Sequence, residues 1–187
     1  DNFLYAGFAD GTLIKIDLTG KIIWQLILND VLKTPIKIHN KNIIVLLSNK
    51  IISLDSIDGN INWEFIYNND NFLNVYGGSV VSKNHLLYFY LPNGRIGTID
   101  TILGTNIDTL FSKINFDYNL MNSINTVHIF QNSLSFYENN KYLHTIDIQN
   151  NNFLIEKEKF ENVISNKFIN NAFITINNKK ILKAYNI

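Results

Sequence analysis

The feature that most constrains the fold is a repeated hairpin. LIKIDLTGKIIW (residues 13–24) alternates apolar and polar residues up to Asp17, turns through Thr-Gly-Lys, and resumes as a short β-rich run ending on Trp24. The pattern returns in KIISLDSIDGNINW (50–63), with Asp55, Gly59 and Trp63 in the matching places. RIGTIDTILGTNIDTL (95–110) keeps Asp100 and Gly104 and puts Asp108 to Leu110 where Trp would stand. YLHTIDIQNNNFLI (142–155) keeps Asp147 with Asn for Gly, and KILKAYNI (180–187) is a truncated copy in which Tyr185 takes the Asp position.

These five anchors are 38, 45, 47 and 38 residues apart. A period of roughly 40 to 50 residues is that of four-stranded propeller blades. Six to eight residues before each anchor lies a turn pair: Asp10-Gly11, Asn49-Lys50, Asn93-Gly94, Asn139-Asn140 and Asn177-Asn178. Asp-Gly and Asn-Gly tolerate the positive φ of a type I′ hairpin. An apolar strand precedes each turn, and a further short strand precedes most of those. Each unit therefore reads as strand A, strand B, tight turn, strand C, a corner, and outer strand D. Near-continuous apolar B strands (IIVLL, LLYFY, AFITI) fit burial on both faces, while the charged run Glu156 to Glu161 fits an outer rim.

Composition agrees with an all-β chain: 30 Ile and 31 Asn stand against 4 Ala, so strand and turn formers outweigh helix formers. The expected fold is an all-β propeller of four-stranded antiparallel blades, with about four to five blades present as part of a larger, eight-bladed ring. As one partial propeller, residues 1–187 divide into approximate blades 1–28, 29–70, 71–115, 116–160 and 161–187. The first and last blades are short of strands, so further strands are expected from outside this sequence, including upstream of its opening Asp1-Asn2-Phe3.

The function classes narrow by charge and residue type. Sixteen basic and sixteen acidic residues cancel without long single-sign blocks, which gives no support for nucleic acid or an anionic membrane surface. Without cysteine there is no disulfide, thiolate metal site or thiol nucleophile. The longest apolar runs, such as Ile43 to Leu47, are far below the ~20 residues of a membrane helix. A carboxylate repeated at one position in every unit fits turn capping, whereas a catalytic acid is unique; Asp17, Asp55, Asp100 and Asp147 are read as caps. His39, His85, His128 and His144 lack metal-ligand spacing and are read as ordinary strand residues. Trp24 and Trp63 are read as packing on a neighbouring blade.

The corner Asp17 to Trp24, preceded by YAGFADGTLIKID, resembles the repeat of pyrroloquinoline-quinone-type β-propellers. The order of landmarks VLKTP (31–35), Trp63, FLNVYGGS (72–79) and NGRIGTID (93–100) is most similar to the BamB family, propeller lipoproteins of the bacterial outer-membrane barrel assembly machinery. The resemblance implies a non-enzymatic protein interaction scaffold in the periplasm, held to the outer membrane only through a lipid anchor that this sequence does not contain. The implied partner is the barrel subunit BamA. The family's contact loop falls on Leu73, Val75 and Tyr76, with Tyr76 in place of an Arg. A second contact, an Asp-x-Asp before a strand, falls on Ser123 and Asn125. No cofactor or metal is expected, since the cysteine pair and acidic calcium ligands of quinoprotein dehydrogenases have no counterparts. A fragment of such a dehydrogenase, and a sensor ectodomain that dimerises through a β edge, are the alternatives.

Overall fold

A computed structural model describes residues 2–32, 35–67, 79–90, 96–108, 124–138, 142–148 and 156–186. These residues form five separate antiparallel sheets that follow one another along the chain. The first holds β1 (Phe3–Gly7), β2 (Thr12–Asp17) and β3 (Ile22–Ile27). The second holds β4 (Lys37–His39), β5 (Asn42–Leu46), β6 (Lys50–Asp55) and β7 (Ile61–Ile66). The third holds β8 (Ser79–Lys83), β9 (Leu86–Tyr90), β10 (Ile96–Asp100) and β11 (Asn106–Asp108). The fourth holds β12 (Ile124–Phe130), β13 (Ser133–Glu138), β14 (Tyr142–Asp147) and β15 (Glu156–Lys159), and the fifth β16 (Val163–Ile169), β17 (Ala172–Asn177) and β18 (Leu182–Asn186). In every sheet spatial order equals chain order, the arrangement of a blade built from consecutive hairpins.

Register identifies equivalent strands. The first residue of strand B pairs with the anchor in Phe3↔Asp17, Asn42↔Asp55, Leu86↔Asp100 and Ser133↔Asp147. The same step in the fifth sheet is Ala172↔Asn186. Asn186, and not Tyr185, therefore occupies the anchor position, a one-residue correction to the sequence reading. The reason is packing: a one-residue slip exchanges the faces of a strand, and the Tyr185 ring is drawn inward, edge-on to Phe160 with ring centroids 4.7 Å apart. By this register the first sheet comprises strands B, C and D, and the fifth comprises A, B and C.

The sheets stack face to face, and alternation along strand B divides its residues between two interfaces. Ile43, Val45 and Leu47 turn toward the first sheet and meet Leu13, whereas Ile44 and Leu46 turn the other way and meet Val80, Leu87, Phe89 and Ile99. Tyr88 then packs on Leu134, Phe136 and Ile146 of the fourth sheet, and Tyr137 and Leu143 pack on Phe173 of the fifth. This double burial accounts for the near-continuous apolar runs of the B strands.

A second correction concerns turns. Positive φ recurs in the two-residue turns between strands A and B, at Asn40 (54°), Asn84 (54°), Gln131 (49°) and Asn170 (52°). Of the B–C turn pairs singled out above, Gly11 has positive φ (88°), and Asn93-Gly94 and Asn139-Asn140 lie outside the described residues. The turn from Leu47 to Lys50 instead closes with the Leu47 amide donating to the Lys50 carbonyl at 2.8 Å. In the fifth sheet Lys180 holds φ 60°, in the step that Gly11 fills in the first.

Candidate interaction surface

The sheets present two ends. At one, the residue after each anchor is tied to the A–B turn: Ser56, Thr101 and Ile148 donate their amides to the carbonyls of Lys41, His85 and Asn132, each at 2.8 Å. At the other, the end of strand D is tied to the B–C turn, with Leu28 donating to Gly11 (3.1 Å) and Tyr67 to Asn49 (2.9 Å). The D-to-A connections between sheets therefore open at the B–C end. Along the chain, residues 68–78 and 109–123 run between the D strand of one sheet and the A strand of the next.

Leu73, Val75, Tyr76 and Ser123 fall in these segments and lie outside the described residues. Asn125 lies in β12, at a register shift where Ile124 pairs with Glu138 and Thr126 with Tyr137. A bulge at the start of a strand re-aims the chain entering it.

The anchor carboxylates act as caps. Asp17 Oδ1 accepts from the Thr19 amide (2.8 Å), the Thr19 hydroxyl (2.6 Å) and the Lys21 amide (3.0 Å). Asp55 accepts from the Ile57 amide (2.6 Å), and Asp100 from Ile102 (2.7 Å) and Leu103 (2.9 Å). Hydrogen bonds to the charged form favour it. The Thr19 hydroxyl and Lys21 amide hold the Asp17 carboxyl below its ordinary range, and the Leu103 and Ile102 amides do the same for Asp100.

The corner glycines receive the tryptophans of the preceding sheet. A Cβ placed on Gly59 would lie 3.2 Å from the Trp24 ring, and one on Gly104 would lie 2.5 Å from Trp63. Trp63 Nε1 donates to the Thr101 carbonyl at 2.9 Å. The corresponding carbonyl at the preceding interface, that of Ser56, is taken by buried Lys15, whose Nζ lies 2.7 Å away and 4.2 Å from the Phe3 ring centroid. Trp24 Nε1 is left without a hydrogen bond. Both tryptophans thus pack between sheets, as the sequence suggested.

A line of polar contacts that sequence reasoning missed joins successive A–B turns. Lys83 Nζ donates to the Gln131 carbonyl and to Asn132 Oδ1 (3.2 Å). His128 Nε2 lies 2.6 Å from the Asn170 carbonyl, and its ring stacks on Phe168 at 5.1 Å. The available signal was the paired polar residue at each A–B turn, overshadowed by the Asp-Gly and Asn-Gly pairs elsewhere. Among the described residues no three His, Cys, Asp or Glu side chains are grouped to hold a metal ion.

No family model matches the chain, and no curated protein does. Solved structures do. The computationally designed Ika8 protein superposes with a TM-score of 0.74 at 14% identity, covering 100% of this chain and 56% of that one. BamB from Moraxella catarrhalis gives 0.72 at 18% identity, covering 99% and 58%, and the computationally designed Ika4 protein gives 0.59 at 12%, covering 81% and 89%. The chain is a partial β-propeller. It spans 56% and 58% of the lengths of the first two matched structures. Within this propeller, the unlike ends of the stack follow: a first blade with B, C and D strands, and a last with A, B and C.

Proposed function

We propose that this propeller is a non-catalytic docking scaffold of the BamB kind, acting in outer-membrane protein assembly on the periplasmic side, with a BamA-like barrel subunit as its partner. The observation that carries the reading is the superposition on BamB across 99% of the chain, joined to the landmark order of the sequence. The anchor carboxylates at Asp17, Asp55 and Asp100, the chain's most repeated acidic positions, are occupied with backbone amides of their own corners, which favours a structural role over acid–base chemistry. Connections carried on packed sheets offer a pre-organised surface, so little ordering entropy is lost on binding.

The contact is assigned to the D-to-A connections on either side of the third blade, through Leu73, Val75 and Tyr76 in one and Ser123 and Asn125 in the other. An aromatic residue at position 76 supplies buried area in place of charge-assisted hydrogen bonds. Replacing Tyr76 by Glu and titrating the purified barrel subunit tests the reading. The expected result is a loss of affinity of about tenfold or more, the scale of truncating an interface anchor. Unchanged affinity would overturn the assignment.

A further inference from the structure

The corners between strands C and D of the second and third sheets carry apolar side chains that the packing does not use. Ile57 in the second and Ile102 and Leu103 in the third are 64%, 74% and 68% exposed. Both sheets are packed on each side against another sheet, so this exposure belongs to the stack itself. The turn does not need these residues. Thr19 holds the step of Ile57 and Ile102 in the first sheet, and its hydroxyl adds a bond to the Asp17 cap at 2.6 Å that an aliphatic side chain forgoes.

Each corner is narrow and clamped. The Asp55 amide donates to the Asn60 carbonyl (2.8 Å) and the Gly59 amide to the Asp55 carbonyl (3.0 Å); in the third sheet Asp100 donates to Thr105 (3.0 Å) and Gly104 to Asp100 (2.9 Å). The amides of Ile57, Ile102 and Leu103 are themselves held by the anchor carboxylates, which fixes the backbone from which the side chains project. Ile57 and Ile102 stand two residues past equivalent anchors, on sheets that pack about 10 Å apart, so one flat surface at the A–B end meets both.

Shape and chemistry say what covers them. They are separate convex tips rather than a groove, and all three are aliphatic, whereas protein interfaces centre on aromatic and Arg anchors seated in pockets. The charges beside them are mixed, exposed Lys41 and His85 on the A–B turns standing against exposed Asp58 and the capping Asp55 and Asp100. A fluid acyl layer closes around such tips without a matching pocket. We propose that the C–D corners of the second and third blades insert into a phospholipid surface through Ile57, Ile102 and Leu103. Together these side chains hold about twelve carbons, fewer than a myristoyl chain, which alone gives marginal, reversible binding of about 10⁴ M⁻¹. The contact therefore orients the propeller on a lipid surface rather than anchoring it. Because it draws on apolar insertion and not on net charge, it does not depend on salt.

The chain has no cysteine, so a single introduced one takes an environment-sensitive nitrobenzoxadiazole dye at a chosen place. The full chain labelled at Ile102→Cys is compared with the chain labelled at Ile66→Cys, a side chain 65% exposed at the B–C end, each titrated with phosphatidylcholine vesicles. The dye at position 102 is expected to brighten and shift to the blue, alike in low and high salt, while the dye at position 66 is unchanged. Adding Ile57→Ser and Leu103→Ser, both at exposed side chains, is expected to weaken vesicle binding about tenfold. The proposal is overturned if both dyes respond or neither does, if high salt abolishes the response, or if the serine pair leaves binding unchanged. A dye at position 102 that brightens with protein concentration before vesicles are added places a second copy on the corners and equally overturns it.

Discussion

At the scale of single residues, the packing of one blade on the next rests on Trp63 over Gly104 and Trp24 over Gly59. Gly104 has φ +67° and almost no room for a methyl group, whereas Gly20 has φ +90° and nothing within 4 Å of an added Cβ. The pair separates backbone strain from interface crowding. Gly20→Ala should cost about 1 kcal/mol, the price of a left-handed L-residue. Gly104→Ala should cost about 1–3 kcal/mol more, because the indole must move out of a packed interface. Urea unfolding of the two variants checks this, and equal losses would remove the indole from the argument. The capping carboxylates give a pH dependence. Asp10, Asp17 and Asp100 all have folded values lowered by hydrogen bonds to the ionised form, Asp10 through the Thr12 amide first. A depressed folded value means that the stabilisation is present above the unfolded value of about 4. It is lost as pH falls through the folded value. Unfolding midpoints measured from pH 7 to pH 3 should therefore decline in acid. In Asp17→Asn, which keeps an Oδ1 acceptor but cannot titrate, the decline should be shallower. Asn177 already caps its corner in this way, accepting from the Lys179 (3.0 Å) and Ile181 (2.9 Å) amides.

At the scale of elements, the sequence displays what depends on local chemistry. The B strands from Phe3, Asn42, Ser133 and Ala172 begin where the sequence reading placed them, because each run is mainly apolar, Ser135 and Thr175 being buried polar residues inside two of them. The capping role of the aspartates was legible for a similar reason: a short carboxylate before a Gly-containing corner has few other local uses. Two things were not legible. Asn186 supplanted Tyr185 because the choice depends on which face meets the fourth sheet, and Phe160 and Phe173, which decide it, are distant in sequence. The left-handed A–B turns were hidden because Asn is so abundant that an Asn pair marks no particular turn. Gln131 is the least suited of the four residues in that conformation, since Asn tolerates it through local hydrogen bonding and Gln does not. Gln131→Gly should raise stability by about 0.5–1 kcal/mol, while Asn84→Gly at the equivalent step should change it less. Thermal denaturation of the two variants side by side measures the difference, and a loss of stability in Gln131→Gly would refute the turn assignment.

At the scale of the whole molecule, five sheets in chain order bury their middle faces against one another. The end faces differ from the middle ones. Leu4 and Ile27 on the first sheet are 60% and 58% exposed, and Leu182 on the last is 64% exposed, whereas Ile44, Leu54 and Ile99 within the stack are fully covered. The contact residues of the candidate site were read by resemblance, and all but Asn125 lie outside the described residues, so their test is binding rather than geometry. The stacking itself is open to a direct covalent test, because the chain has no cysteine to interfere. A Cβ on Gly104 lies 2.6 Å from that of Trp63, 41 positions away in the sequence and on the next sheet. About 1 Å of relaxation brings this pair to the ~3.8 Å spacing of a disulfide. The measurement is oxidation of the native double variant Trp63→Cys with Gly104→Cys, read by mass spectrometry beside a Trp63→Cys and Gly20→Cys control. Radial stacking of successive blades predicts rapid, near-complete cross-linking in the first protein and none in the second. Equal cross-linking in both, or none in either, would contradict it.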